Sequence, residues 1–340
     1  MSVFVIAEAG ANHDRKKEQA FELVRVAVAA KADAVKFQTY SSETLYAQRA
    51  PDFAGYKNIN KLIKDIELPR AWQKDIKMFC DDEGIEFMST PFDEKAVEEL
   101  YNIGVKRFKI AGFEATDPRI VKCVASTQLP LVITAGIGSD HHMINTILGW
   151  VLEVNKNPDV TFLHGNNAYP TPFEDANLGQ IRKLLDLQNS GNFFRTKFKD
   201  GLSDHNEGIL APPLAVALGA QTVEKHYTIS RSLEGPDHSF AIEPDELSQM
   251  VKNIRITEKA SGTKIGKFTS SEERFFNATR SVVCKRDIQR GELLTEQNIT
   301  TMRPALEGSV PASEFYKMLY LQASKNILAG TVLFHGDAQS

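Results

Sequence analysis

The residues best suited to chemistry in this sequence come in pairs of like type: the lysines Lys36 and Lys109, the carboxylates Glu8 and Glu114, and the histidines His205 and His226. Each stands at or just beyond the end of a short apolar run. Lys36 and Lys109, with the hydroxyls of Thr90, Thr134 and Ser203, could hold a phosphate group by charge and short hydrogen bonds. Either lysine could equally be the ion-pair partner of a neighbouring glutamate, and a Schiff-base lysine is the competing chemical role. His205 and His226 close the neighbouring runs Gly201-Leu-Ser-Asp-His205 and Glu224-Lys225-His226, so their imidazoles can converge. Such a pair suits Mn²⁺, Fe²⁺ or Zn²⁺, with the remaining positions left for water or substrate. Glu8 and Glu114 are the carboxylates best placed for proton transfer, and a purely structural pairing with Lys36 or Lys109 is the alternative. His13, His164 and His238 are weaker candidates, while His141 and His142 open a helical pattern and are expected in solvent.

These side chains need a scaffold that brings strand ends together. Eight strand-like runs supply it: Val3–Ala7, Ala34–Gln38, Ile85–Ser89, Val105–Ile110, Leu131–Thr134, Val160–Leu163, Phe198–Leu202 and Gln221–Glu224. Amphipathic segments lie between most of them, such as Lys17–Lys31, where Ala20, Leu23, Val24, Ala27 and Ala30 share a helical face. Asp93, Asp117 and Ser139 each precede such a segment as capping residues. Repeated βα units of this number point to a (β/α)8 TIM barrel of the α/β class. An open doubly wound sheet is the alternative, disfavoured by the lack of a G-x-G-x-x-G turn after the first run. In a barrel, the C-terminal strand ends converge on one rim. Here nearly every run ends in polar residues, including Ser89-Thr90, His164-Gly-Asn166-Asn167 and Ser203-Asp-His205. The seventh run is the least apolar, because Lys197, Lys199 and Asp200 crowd it. A polar and aromatic stretch from Thr44 to Trp72, with Tyr46, Phe53 and Tyr56, reads as a lid or a surface loop.

The texture changes after Lys259. Residues 1–260 are expected to form the barrel domain, 261–279 a Gly/Ser/Thr/Lys-rich linker, and 280–340 a compact β-rich module built on short strand-like pieces. A chain of 340 residues is long enough for one large domain and one small one. Its formal charge of −4 gives no overall reason to expect nucleic acid or an anionic membrane as a partner. The three cysteines, Cys80, Cys123 and Cys284, form no disulfide framework and no C-x-x-C motif, which points to a reducing, cytoplasmic compartment and small core side chains. The opening Met1–Glu8 reads as a strand and not a signal peptide, and no apolar stretch is long enough to span a bilayer.

The runs Ile6-Ala-Glu8-Ala-Gly10-Ala-Asn12-His13, Val35-Lys36-Phe-Gln38-Thr39, Ser89-Thr90-Pro91-Phe92, Phe108-Lys109-Ile110 with Glu114, Tyr169-Pro-Thr-Pro172, Gly201-Leu-Ser-Asp-His205 and Glu224-Lys225-His226 resemble, in order and spacing, the N-acetylneuraminate (sialic acid) synthase family. That family includes the legionaminate, pseudaminate and spore-coat polysaccharide synthases. The C-terminal runs Lys285-Arg-Asp-Ile-Gln-Arg-Gly291-Glu and Met302-Arg303-Pro304 resemble its antifreeze-like (SAF) domain. The resemblance implies a TIM barrel carrying a small β-clip domain that reaches over the partner's barrel in a swapped homodimer. It implies condensation of phosphoenolpyruvate with a 2-acetamido-hexose to give a nine-carbon 2-keto sugar acid and phosphate. By motif position, His205 and His226 match the ligands of a divalent metal, usually Mn²⁺, with Mg²⁺ or Co²⁺ as other candidates. Lys36, Thr90, Lys109, Thr134, Asn167 and Ser203 match phosphoenolpyruvate positions. Gln38, Tyr169 and Asp237 match sugar-side positions, Glu8 and Glu114 the active-site carboxylates, and Arg303 the arginine offered to the acetamido group. The sequence departs from the family pattern at Gly112, where a serine is usual, at Ala135 and at Gly165. A metal-dependent aldolase on the same barrel and a non-catalytic carbohydrate-binding protein are the alternative functions.

Overall fold

The computed structural model describes residues 2–52, 57–135, 138, 140–189, 198–262 and 269–339. The chain forms two compact units, Met1–Gly262 and Thr263–Ser340. The first contains an eight-stranded parallel sheet of β1 (Phe4–Glu8), β2 (Ala34–Thr39), β3 (Glu86–Pro91), β4 (Phe108–Ile110), β5 (Leu131–Thr134), β6 (Val160–His164), β7 (Lys199–Asp204) and β8 (Thr222–His226). The ladder runs β3-β2-β1-β8-β7-β6-β5-β4, and β3 and β4 are neighbours in space, so the sheet curls into a nearly closed barrel. Pairing of the first strand with the last excludes the open doubly wound sheet.

Each strand is buried on both faces. Outward-pointing Val5, Val35, Phe37, Phe108, Ile133 and Phe162 join one large core with the surrounding helices. The helices are α1 (Lys17–Ala29), α2 (Ile59–Ile66), α3 (Gln73–Glu83), α4 (Glu94–Asn102), α5 (Pro118–Ser126), α6 (His141–Val154), α7 (Gly179–Asn189), α8 (Ala211–Ala217) and α9 (Pro244–Ala260), and all of these but α2 contribute to that core, α2 packing Ile59 and Ile63 into a separate cluster with Tyr40. Inward-pointing Ile6, Ala34, Met88, Val132 and Leu163 form a separate apolar plug inside the barrel. Successive side chains on a strand alternate between faces, so the inward residue two places beyond each plug residue stands one layer higher. Those residues are Glu8, Lys36, Thr90, Thr134 and Gly165. On four of these five strands alternation therefore turns an apolar plug into a polar layer within one step, and at the fifth Gly165 follows the end of β6 without a side chain.

Asp93 and Asp117 cap α4 and α5 by accepting from Ala96 N and Arg119 N. Asp140 caps α6, in place of the expected Ser139, which lies outside the described residues. Most strands run one or two residues further toward the rim than their apolar runs suggest. The polar residues there continue the ladder, as in Glu8–Lys36 and Glu8–His226. The Thr44–Trp72 stretch is not all loop: it carries α2, whose Ile59 and Ile63 are buried. Phe53 and Tyr56 lie outside the described residues. Helix α3 follows it, and the sequence reading passes over it because a lone stripe of Gln73, Ile76 and Cys80 faces inward among charged residues. Lys199, one of the charges crowding the seventh strand, pairs with Asp159 at 2.9 Å, while Lys197 lies outside the described residues. Cys80 and Cys284 are buried and Cys123 is half-buried.

The second unit pairs β9 (Ser281–Cys284) with β10 (Ile299–Met302), and β11 (Gln322–Ala323) with β12 (Ala338–Gln339), all antiparallel. It encloses its own core, including Val282, Ile288, Leu294, Ile299, Val310 and Leu333.

Behind the barrel wall, Lys225 of β8 donates to Asp204 Oδ2 of β7 at 2.8 Å, with the two side chains 1% and 0% exposed. Lys225 also donates to the Asn206 carbonyl. This pair ties together the two strand ends that carry His205 and His226. Breaking it strands a buried charge, so Lys225→Met should lower unfolding free energy by about 3–5 kcal/mol. The double variant Asp204→Asn/Lys225→Met should lose less. A loss below about 1 kcal/mol for the single variant, the size of a surface pair, would contradict this role.

Candidate active site

The polar layer above the plug is organised around Glu224. Its Oε1 lies 3.3 Å from Lys109 Nζ and 3.8 Å from Lys36 Nζ, and it accepts from Ser203 Oγ at 3.2 Å. Lys36 also pairs with Glu8 Oε2 at 2.6 Å and donates to Thr90 Oγ1 at 3.1 Å. Lys36, Lys109, Glu8 and Glu224 are all buried. Burial opposes charge on Glu224, yet Lys109 and Lys36 outweigh it and hold its carboxyl below the usual range. Burial also opposes charge on Lys36, and Glu224 and Glu8 together raise it above its ordinary value. Lys109, with Glu224 as its ion-pair partner, is lowered by burial. The sequence reading omits Glu224 as a candidate. The signal was present: Glu224 stands two residues before His226 on one strand, so the two must share a face.

Glu8 sits at the junction of β1, β2 and β8. Gln38 Nε2 donates to its Oε1 at 2.7 Å. Burial pushes the Glu8 carboxyl up to about 7, with Lys36 pulling it down and Glu224 pushing it up. Glu114 follows β4 in a short 3-10 turn, Glu114–Thr116. Burial raises it too to about 7, and its Oε2 is a buried oxygen with no hydrogen-bond partner. Glu8 is thus held on two sides, while Glu114 keeps one oxygen uncommitted.

His205 and His226 stand with ring centroids 5.6 Å apart. His205 Nδ1 bonds the Asn166 carbonyl, which can only accept, so that nitrogen carries the proton and Nε2 keeps its lone pair. Burial lowers His205 to about 4 and His226 well below its ordinary value, so both rings are neutral near pH 7. His226 Nδ1 is buried with no hydrogen-bond partner, and Asp237 Oδ2 lies 3.9 Å from it. Two neutral imidazoles, one with an orphaned nitrogen, fit a divalent metal completed by water or substrate. Among the described residues, no group of three or more His, Cys, Asp and Glu side chains is arranged to hold a metal. Gly10 keeps this corner open: its φ is +52°, and a Cβ there would fall 2.6 Å from Asp237 Oδ2 and 3.2 Å from His226 Nδ1. Tyr169 lies against His205, with ring centroids 4.2 Å apart.

Lys36, Gln38, Thr90, Lys109, Thr134, Asn167, Tyr169, Ser203, His205 and His226 line one narrow cleft with Glu8 and Glu224. Asp237 adjoins it through His226, and Glu114 follows the strand that carries Lys109. Arg303 belongs to the second unit, where it is exposed just after β10. The weaker histidines hold loops in place. His13 Nδ1 accepts from Arg15 N, His164 Nε2 donates to the Ala176 carbonyl, and His238 bridges Thr228 and Asp14. His141 and His142 are exposed. A roomier cleft lies alongside, lined by residues that follow β5 and β6. It shares Asn167 with the polar mouth but has none of the charged floor.

The NeuB family model matches residues 23–266, and the SAF domain model matches residues 279–337. A pseudaminic acid synthase of Campylobacter jejuni is 35% identical over 99% of this chain and 97% of its own length. An N,N'-diacetyllegionaminic acid synthase of the same species is 33% identical over 95% and 96%. The crystal structure of an N-acetylneuraminic acid (sialic acid) synthetase from Leptospira borgpetersenii, in complex with citrate, superposes with a TM-score of 0.71. It is 32% identical, covering 81% of this chain and 90% of that one.

The raised carboxyl of Glu114 has a signed consequence for stability. Its folded value of about 7 exceeds the ordinary 4.5, so the folded protein binds this proton more tightly than the unfolded chain. The stabilisation is complete at low pH and is lost as pH rises from about 4.5 through 7. Glu114→Gln stays neutral throughout. The difference in unfolding free energy, variant minus wild type, should therefore grow more positive between about pH 4.5 and pH 8. A difference that does not change with pH would contradict the assignment.

Proposed function

The chain belongs to the NeuB family and carries a SAF domain, and from that premise we propose that it condenses phosphoenolpyruvate with a 2-acetamido-hexose. The acceptor is N-acetylmannosamine or a diacetamido-trideoxyhexose, and the products are a nine-carbon 2-keto sugar acid and inorganic phosphate. The observation that carries the reading is the buried floor of Lys36, Glu224 and Lys109 beside two neutral histidines. The floor offers two cations to an anion, and the histidines offer lone pairs to a metal.

In this reading Lys36 and Lys109 hold the phosphate and carboxylate of phosphoenolpyruvate, helped by the hydroxyls of Thr90, Thr134 and Ser203. Carbon 3 of phosphoenolpyruvate bonds to the aldehyde carbon of the open-chain sugar, and water adds to carbon 2. The bond from carbon 2 to the phosphate oxygen then breaks, phosphate leaves, and the 2-keto group forms. Glu114, with its uncommitted oxygen and a value of about 7, takes and returns the proton of that water. Glu8, bound to Lys36 and Gln38, orients the lysine and the sugar-side amide. A divalent metal held by His205 and His226, Mn²⁺ in the first instance, would supply Lewis acidity toward the acceptor carbonyl. Gln38, Tyr169 and Asp237 line the sugar side. The reading also includes Arg303 as the group for the acetamido function, a domain-swapped homodimer and a cytoplasmic location. No helix among the described residues is long and apolar enough to cross a membrane.

The direct test is phosphate release from phosphoenolpyruvate with Mn²⁺ and a panel of acceptors. The panel comprises N-acetylmannosamine, the two diacetamido-trideoxyhexoses of the legionaminate and pseudaminate routes, and four- and five-carbon sugar phosphates. Release should depend on one acetamido-hexose, and His226→Ala should abolish it while leaving the circular dichroism of the fold unchanged. Full activity in His226→Ala would refute the metal assignment. Absence of release with every acceptor would shift the weight to a metal-dependent aldolase or a carbohydrate-binding protein.

A further inference from the structure

The loop that follows β8 leaves the strand end and returns beside it. Thr228 N donates to the Ile242 carbonyl at 2.9 Å, and Ile242 N donates to the His226 carbonyl at 3.1 Å. Asp237 and His238 lie on this loop, and both bond the loop that follows β1. Asp237 Oδ2 accepts from Ala11 N at 3.1 Å. His238 is buried. Its Nε2 lies 2.9 Å from Asp14 Oδ1, which can only accept, so that nitrogen carries the proton, and its Nδ1 lies 2.6 Å from Thr228 Oγ1. One ring thus ties its own loop to its base at Thr228 and to the neighbouring loop at Asp14. Asp14 is itself anchored, because its other oxygen accepts from Gln19 Nε2 of α1 at 2.6 Å. Gly235 leaves room for the bridge: a Cβ there would fall 2.8 Å from His238 Cδ2 and 3.5 Å from Asp14 Oδ1. His238, Asp14 and Thr228 do not line the polar cleft. What the bridge holds is the preceding residue, Asp237, whose Oδ2 stands 3.9 Å from His226 Nδ1. The bond from Ala11 N alone leaves the Asp237 carboxylate free to turn, and a second attachment one residue along removes that freedom. The gain is large, since a group displaced by about 1 Å from its working position can lose about 100-fold in rate.

We propose that His238 is a positioning residue for the acceptor side of the cleft: by bridging Thr228 and Asp14, it holds Asp237 in place beside His226 for the incoming sugar. This rests on the reading of Asp237 as a sugar-side residue and names what sets that residue's place. His238 acts through Asp237 and touches neither substrate, so its loss falls on the acceptor and spares the phosphoenolpyruvate floor of Lys36 and Lys109.

Three variants test the bridge: His238→Ala removes it, Asp14→Ala removes it from the other loop, and His238→Gln keeps an NH₂ that can reach Asp14. Kinetics give the acceptor KM and kcat, titration calorimetry gives the affinity for phosphoenolpyruvate, and thermal midpoints report each fold. A crystal structure of whichever alanine variant folds locates Asp237. In both alanine variants the acceptor KM should rise about tenfold, while affinity for phosphoenolpyruvate stays within about twofold of wild type. His238→Gln should bring the acceptor KM back to within about threefold of wild type. The Asp237 carboxylate should leave hydrogen-bond distance of Ala11 N. A bridge that is merely structural would lower the thermal midpoint and leave the acceptor KM of the folded variant unchanged, which would overturn the proposal. Asp237 remaining on Ala11 N, or loss of the fold in both alanine variants, would overturn it as well. If Asp237 moves but wild type turns over no acceptor, the proposed reaction fails and the positioning stands. If wild type turns over and the alanine variants keep its acceptor KM, the reverse holds.

Discussion

Glu224 lies buried between two lysines, and the arrangement of the rest of the mouth follows from that constraint. A barrel interior is a poor place for charge, because moving an ion out of water costs several kcal/mol unless partners replace the solvent. Lys36 and Lys109 are tolerable there because Glu224 faces both, with Glu8 pairing Lys36 from the other side. The cluster holds two cations against one firmly ionised carboxylate and a second whose value is about 7. With Glu8 protonated, one positive charge is left over. On the proposed reading, an anionic substrate would supply the missing negative charge in the same dry environment, where the electrostatic interaction is strong. Ser203 and Thr90 already bond members of the cluster, while Thr134 and Asn167 hold polar atoms that lack partners.

Alternation along parallel strands sets the layers that make this work. Ile6, Ala34, Met88 and Val132 seal the barrel beneath the site, and Glu8, Lys36, Thr90 and Thr134 follow two residues later on the same strands. On the outer face of the same wall, Asp204 and Lys225 join β7 to β8 immediately beside His205 and His226. The polar residues of one strand end therefore serve opposite faces. Those facing inward form the site, and those facing outward hold the strands that carry it.

Much of this was legible in the sequence because it depends on short-range periodicity. The eight strands, most helices and the change of texture after Lys259 follow from apolar spacing and turn residues. Closure of the sheet was less certain from alternation alone, since it depends on β1 pairing with β8 across more than 200 residues of chain. Helix α3 was not legible, because its buried stripe of Gln73, Ile76 and Cys80 is narrow and interrupted by charges. Glu224 was passed over because it sits in a run of three polar residues, where only its spacing from His226 tells its face. The uncommitted oxygen of Glu114 and the bridge of His238 between Thr228 and Asp14 are tertiary facts. They depend on how loops meet above the barrel, and no local pattern encodes them.

On the proposed reading, Lys36 and Lys109 form an anion site whose charge Glu224 balances only in part until substrate arrives. Titration of phosphoenolpyruvate into wild type, Lys109→Met and Glu224→Gln tests it most directly. Lys109→Met should bind at least about tenfold more weakly, while Glu224→Gln, having lost the competing carboxylate charge, should bind as well as wild type or better. Wild-type affinity in Lys109→Met would contradict it.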